Sequence, residues 1–350
     1  MPMRYRSETL QKFAHDLLTS AGVDGEIAAV VADTLLEGDL LGHDTHGLAL
    51  LPSYLRELAS GTMTKSGTAQ VVEQRDASAL WDGNRLPGPW LTQLAIDDAI
   101  GRAQRCGTGT VVIRRSHHIA CLAAYLTRAT ERGFVLLLSC SDPNGASVAP
   151  HGGTRAVFTP NPLAFGYPTT GDPVLIDLSA SLTTNGMTAR LHKSGQRLAH
   201  PWLLTADGAA TDDPAVLFTE PCGTILPTGG IDAGHKGYAL ALIVEMLTGG
   251  LGGFGRADPK EGWGATVFVQ VIDPSAFGGL GAFQRQAEWI AHACRDNPPR
   301  TGTEAVRLPG ERGLARRRDQ IQKGVALHAD ILTGLEPWAG KLSVPMPQPS

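Results

Sequence analysis

The spacing of apolar residues divides the chain into a helical start, a strand-rich middle and a helical end. In SETLQKFAHDLLTSAG (7–22) the apolar side chains fall at helical intervals. The stretch predicts a helix that opens on Ser-x-x-Leu, short of a full capping box, and stops at Gly22. In DGEIAAVVADTLLEGDLLG (24–42), Ile27, Val30, Val31, Leu35 and Leu41 lie near one face behind a cap at Asp24. A third helix is predicted over 48–59, ended by Gly61. From residue 67 the period changes, and TAQVVEQRDASALWDGN (68–84) has strand-and-turn chemistry. A helix follows over 89–105, then the β-branched run GTVVIRRSHH (109–118), then a helix in IACLAAYLTRATERG (119–133). FVLLLSCS (134–141), AVFTPNPLAFGYP (156–168) and PVLIDLSAS (173–181) read as strands split by Gly/Pro turns. GHKGYALALIVEMLTGGLGG (234–253) is an apolar helix, ATVFVQVID (265–273) a strand and ERGLARRRDQIQKG (311–324) a closing helix. LSVPMPQPS (342–350) reads as a loose tail.

This order predicts a mixed α/β protein in which a helical segment, 1–66, packs with 300–350 beside a body spanning 67–299. Composition agrees: 350 residues, 42% hydrophobic and 18% charged, describe a soluble globular chain of enzyme size, and 42 glycines and 23 prolines require many tight turns. A net charge of -4 with no Lys/Arg patch argues against nucleic acid as a partner. Cys106, Cys121, Cys140, Cys222 and Cys294 are scattered without CxxC spacing, which fits reduced thiols better than a zinc site or a redox pair. MPMRYRSETLQKF lacks a signal-peptide core, and no run reaches the roughly 18 apolar residues of a membrane span. The expectation is a cytoplasmic enzyme.

Four stretches carry candidate chemistry. GLGGFG (250–255) matches G-x-G-x-x-G but follows a helix instead of a strand, so it reads as a glycine-rich helix exit. Gly234-His235-Lys236-Gly237 opens a long apolar helix, where free amides and a lysine could receive a phosphate or carboxylate; a solvated lysine on a first turn reads equally well. RRSHHIA sets Ser116, His117 and His118 at a strand-to-helix junction, where a proton carrier can stand above a sheet. GHDTHG (42–47) lacks metal-site spacing, but Thr45-His46 makes a hydroxyl–imidazole pair that a carboxylate elsewhere would orient. Asp177, closing the apolar strand VLIDLSAS, is the candidate orienter; capping a backbone amide is its alternative role.

In order and spacing, GHDTHGLALLPSYLRELASG, SHHIACLAAYLTRATERGF, VAPHGGTRAVFTPNPLAF, VLIDLSAS, GHKGYALALIVEML and LPGERGLARRRDQIQKGVAL resemble the malate/L-lactate dehydrogenase-like family of nicotinamide-dependent oxidoreductases. The form SHHI and the lack of an arginine after THG are most similar to its hydroxycarboxylate dehydrogenase B branch. The resemblance implies a non-Rossmann fold: a helical domain from both chain ends, beside a largely antiparallel sheet that holds NAD or NADP, assembled as a homodimer. Thr45 and His46 match the family's Ser-His pair, and Asp177 the carboxylate completing that relay. His118 matches a histidine that accepts the proton in some members, so the resemblance favours His118, with His46 close behind, as the acid–base group. Ser141, Asp177, Leu178, Ser179, His235, Lys236, Pro309, Gly310 and Glu311 match cofactor-lining positions, and Leu50, His117 and Asn161 substrate-facing ones.

Two departures bear on the substrate. Leu50 stands where many members have an arginine that grips the substrate carboxylate, and Met187 where lysine is usual. Leucine cannot replace a bidentate arginine, so either another group anchors the acid or the substrate brings an apolar part to Leu50. A small dianion such as malate or sulfolactate fits poorly. The implied reaction passes a hydride between C2 of a 2-hydroxy acid and C4 of nicotinamide. Reduction of a cyclic imine of the piperideine-2-carboxylate type is the alternative. More distant readings are a non-catalytic cofactor-binding relative and a metal-dependent hydrolase built on His43, Asp44, His46, His117 and His118.

Overall fold

The computed structural model describes residues 3–350. The chain opens with β1 (Arg4–Tyr5), α1 (Ser7–Ser20), α2 (Gly25–Leu41), a 3-10 turn (Leu48–Leu50) and α3 (Leu51–Ser60). The middle runs β2 (Gln70–Gln74), β3 (Ser78–Asp82), α4 (Gly88–Cys106), β4 (Thr108–Ser116), α5 (Ala123–Thr130), β5 (Val135–Ser141), β6 (Pro162–Tyr167), β7 (Val174–Ser179) and α6 (Asn185–Lys193). Three short strands, β8 (Leu203–Leu204), β9 (Ala210–Thr211) and β10 (Thr224–Ile225), precede α7 (Gly230–Ala233) and α8 (His235–Glu245), which runs into a π turn (Met246–Gly250). The chain closes with β11 (Ala265–Ile272), α9 (Leu280–Arg295), α10 (Glu311–Lys323), β12 (Val325–Ala326) and α11 (Ala329–Leu342).

The main sheet has the order β2-β3-β4-β11-β5-β6-β7, and every neighbouring pair is antiparallel except β3 with β4. β11 lies at its centre because nearly every residue of ATVFVQVI is apolar or small, which suits a strand covered on both faces. Val269 faces Val111 of β4 and Leu138 of β5. One apolar core joins this sheet to α1–α5, α10 and α11. The two chain ends meet directly. β1 pairs with β12, Arg317 binds Glu37, and Gln320 Nε2 donates to the carbonyls of Asp39 and Leu40 at 2.9 and 3.0 Å. The cap expected at Asp24 accepts from Glu26 N at 3.0 Å.

Four details differ from the sequence reading. α6, α9 and α11 were not anticipated: α6 buries only Thr188, α9 has helical spacing but buries only the small Ala287 and Ala291, and α11 carries Pro337 inside it. The helix read in 119–133 begins only at Ala123, since Ala120 takes φ +60°. The strand read over 156–168 shrinks to β6 behind Asn161, whose φ is +45°. The tail is anchored, with Val344 buried and Ser350 N donating to Arg4 O at 2.9 Å. Among the described residues no helix is long and apolar enough to cross a membrane.

Candidate functional site

The loop after α2 is shaped by one carboxylate and two glycines. Gly42 ends the helix at φ +93°, and His43 N bonds back to Gly38 O at 2.8 Å. Buried Asp39 accepts from Leu48 N at 2.7 Å, so the chain folds over the helix end. A Cβ on Gly47 would fall 2.4 Å from the Asp39 carboxylate, and one on Gly38 3.0 Å from His46 O. Burial pushes the Asp39 carboxyl up to about 7 against the pull of the Leu48 N–H. This turn presents Thr45 and His46, with Thr45 Oγ1 at 2.9 Å from His46 Nδ1.

The second imidazole arrives from the sheet. β4 ends at Ser116, and the next two residues are pinned by α4: a Cβ on Gly88 would meet the carbonyls of His117 and His118 at 2.3 and 2.4 Å. His118 N donates to His117 Nδ1 at 2.8 Å, and Ala120 N to His118 Nδ1 at 3.2 Å. A backbone amide only donates, so each neutral ring carries its proton on Nε2. The Tyr54 hydroxyl of α3 lies 3.0 Å from both His118 Nδ1 and His118 O; with Nδ1 already taken, it donates to the carbonyl. Trp263 packs on His118 with ring centroids 4.7 Å apart, and its carbonyl is held by Arg85 Nη2 at 2.9 Å. The His46 and His118 rings stack at 6.3 Å. Burial pushes His46 down to about 4, helped by His43 and Arg190, and pushes His118 well below the ordinary range. Both imidazoles are therefore neutral at pH 7. Among the described residues the Nε2 atom of neither ring has a partner within the chain, nor is either sealed from solvent.

The other expected residues divide. Asp177 does not meet His46. Its Oδ2 accepts from Ala123 N at 2.9 Å and lies 3.8 Å from Cys121 Sγ, with His43 the imidazole beside it. The reason is local: β7 aims the carboxylate at the start of α5, whose free amide it caps. Asn161, expected to face substrate, is fully buried and spent inside the protein, donating to Glu245 Oε1 at 2.8 Å and accepting from Thr159 at 2.9 Å. Ser141, expected at the cofactor, is likewise buried and bound to Glu245 at 2.7 Å. Arg256 completes this network at 2.8 Å from Glu245, so it serves to join α8 to the sheet. His117 is buried behind His118, 3.6 Å from Glu57, and burial pushes it down to about 4. Leu50 packs half-buried on the core.

Leu178, Ser179, His235 and Lys236 do come together. Thr228 donates to Ala180 O at 2.8 Å and to Ser179 O at 3.0 Å, and accepts from Gly237 N at 3.0 Å. A Cβ on Gly237 would meet Thr228 N at 2.3 Å, so glycine lets the first turn of α8 lie on the end of β7. Leu178, His235 and Lys236 are exposed there. The 309–311 turn joins β7 at its other end, where Leu175 N donates to Pro309 O and Glu311 holds Leu308 N and Arg295. These contacts are those of a helix start. The run 250–255 packs as a helix exit, with Gly249 and Gly255 in backbone contact. Asp39, Tyr54, Trp263 and Arg190 were missed by sequence reasoning. Tyr54 and Asp39 hide in helical patterns, and only the flanking glycines of GWG marked Trp263.

A fold and a site of this kind define a class. Residues 5–336 match the malate/L-lactate dehydrogenase family, and the chain belongs to it; membership makes it an oxidoreductase. It is 32% identical to L-lactate dehydrogenase of Cupriavidus necator, over 99% of each chain. Hydroxycarboxylate dehydrogenase B of Escherichia coli (strain K12) is 28% identical, over 98% of this chain and 95% of that one. The crystal structure of delta1-piperideine-2-carboxylate reductase from Pseudomonas syringae pvar. tomato superposes with a TM-score of 0.83 at 28% identity, covering 96% of this chain and 99% of that one.

Proposed function

We propose that the protein transfers a hydride between a nicotinamide cofactor, NAD or NADP, and C2 of a 2-hydroxy or 2-oxo acid. The observation that carries this reading is the pair of imidazoles, His46 and His118, stacked at 6.3 Å with unpaired, solvent-reachable Nε2 atoms; burial favours the neutral form of both. Their tautomers give them different tasks. His118 holds its proton on Nε2 and so donates a hydrogen bond to the C2 oxygen, steadying the charge that develops there. His46 can place its proton on Nδ1, toward Thr45, which leaves an Nε2 lone pair to take the hydroxyl proton in oxidation and return it in reduction. Trp263 and Tyr54 pack around the His118 ring and fix its orientation for this exchange. When bound, nicotinamide supplies the two-electron acceptor or donor at C4. The donor set at the lip of β7 and α8 fits its phosphates: Lys236 adds a cation to a helix start that has no side-chain cap. This reading puts the cofactor at the antiparallel β6–β7 edge of the sheet, away from its one parallel pair, β3 with β4.

Fluorescence titration with NADH and NADPH, followed by turnover of alkyl and aryl 2-oxo acids, tests the reading. Binding of one cofactor is expected, with His46→Ala and His118→Ala each lowering turnover by about 100- to 10,000-fold. Full turnover in both variants with cofactor bound would overturn it. Cyclic imine-2-carboxylates are a second substrate class, favoured by the structural likeness to the piperideine reductase and by the flat Trp263 wall. The same reading carries a homodimer, with a second copy covering the exposed α8 stripe of Leu242, Ile243 and Met246.

A further inference from the structure

A 2-hydroxy or 2-oxo acid brings a fixed anion into the cleft, and a desolvated carboxylate needs a cation with spare N–H groups. Positions 50 and 187 offer only leucine and methionine. Arg190 lies on α6, whose first turn faces the Thr45 loop: a Cβ on Gly186 would stand 3.5 Å from Thr45 Cβ. The Arg190 side chain is only 16% exposed. Its Nη2 donates to Asp44 O at 2.9 Å, one residue before Thr45. The carboxylates of Asp44 and Asp330 form ion pairs with it at 3.5 and 3.9 Å, too long for hydrogen bonds, so they balance its charge without taking up its N–H groups. A guanidinium has five N–H groups, and this one commits a single hydrogen bond. Its charge also reaches His46, where it helps to hold the imidazole neutral.

The other cations around the site are engaged or face away. Arg85 donates to the carbonyls of Thr62 and Trp263. Arg256 is bound to Glu245, Gly145 and Ser141. Arg316 covers Gly42 from outside and is exposed.

We infer that Arg190 is the carboxylate anchor of the substrate, gripping the acid group through its unused N–H groups while His46 and His118 face the C2 oxygen. The inference rests on the dehydrogenase reading and adds a residue that fixes the substrate as a carboxylate. It places the acid beside the His46 loop and leaves the Trp263 side of the cleft for the substrate's remaining, apolar part.

The test compares a 2-oxo acid with its uncharged 2-oxo amide in wild type, R190Q and R190K, with cofactor affinity followed by fluorescence. R190Q is expected to raise KM for the acid by about 10- to 100-fold, the span of one charge-assisted hydrogen-bond pair, while KM for the amide and the cofactor Kd stay put. R190K keeps the charge without the fork and is expected to fall between, again for the acid alone. Because R190K preserves the charge beside Asp44, it keeps the test open if R190Q does not fold. Equal losses for acid and amide, or a fall in kcat at unchanged KM, would reduce Arg190 to a support of the loop and overturn the inference alone. A wild-type chain that binds neither NADH nor NADPH and turns over no 2-hydroxy acid would instead remove the dehydrogenase reading, and the anchor with it.

Discussion

Asp39 holds the His46 loop with one oxygen and keeps the other, Oδ1, buried without a partner. Asp39→Ala would leave the Leu48 amide buried and unpaired, so denaturant unfolding is expected to show a loss of about 1–3 kcal/mol. Asp39→Asn keeps an acceptor for that amide and removes a titration. His46 and His117 fall from an ordinary 6.5 to about 4, so between those values the unfolded chain binds protons that the folded chain refuses, and stability drops as pH is lowered. Asp39 rises from 3.8 to about 7, so over that range the folded chain binds the extra proton and stability drops as pH is raised. The two effects oppose each other. Urea melts at pH 5 and pH 7 are expected to differ more for Asp39→Asn than for the parent chain; an unchanged difference would show that Asp39 does not titrate there. His46 and His118, whose rings the fold stacks together, stood out in the sequence because each lies in a histidine-bearing motif. Residues that act by position did not: Arg190 and Asp39 look like ordinary charges on helices until the loop folds against them.

At the scale of elements, the site is pinched between helices by glycines. Gly88 lets α4 rest on the carbonyls of His117 and His118, and Gly47 lets the loop rest on Asp39. Gly88→Ala is expected to lower stability by about 1–3 kcal/mol and to cut turnover more than that loss explains, because the helix displaces His118 as it retreats. Thermal melting and kcat on the same sample check this; an unaltered kcat would mean that the helix yields instead of the histidine. Elements with a wide apolar stripe or a β-branched run were readable, as α2, α4, β4 and β11 show. α6, which brings Arg190, is nine residues long and buries only Thr188, too short and too polar to stand out as a core-facing helix. The pairing of Asp177 with His46 failed for a related reason: strand register, not sequence order, aims that side chain at the start of α5.

Across the whole molecule, two apolar features lie away from the histidines. A cavity of about 590 Å³ under α9, between Val135, Phe165, Ile272 and Phe283, opens at the other end of β5 and β11 from Ser141 and Ala265. On α8, Ile243 and Met246 are 53% and 62% exposed one turn apart, in line with Leu242 and with Leu251 beyond the π turn. Replacing Ile243 and Met246 together by aspartate is expected to convert a dimer to monomers in sedimentation, with the fold retained; a parent chain that sediments as a monomer would refute the dimer outright.

The bonds from Gln320 to the carbonyls at the end of α2 have a temporal consequence. The Gln320–Asp39 bond joins residues 281 positions apart, and it braces the helix end from which the Thr45-His46 turn departs. At roughly 5–20 residues per second, a ribosome needs on the order of tens of seconds to pass from one to the other. For that interval the nascent chain carries its signature histidines without the brace that orients them. A chain halted before residue 320 would therefore contain nearly every recognisable motif and still lack the brace on the helix end that carries the Thr45-His46 turn.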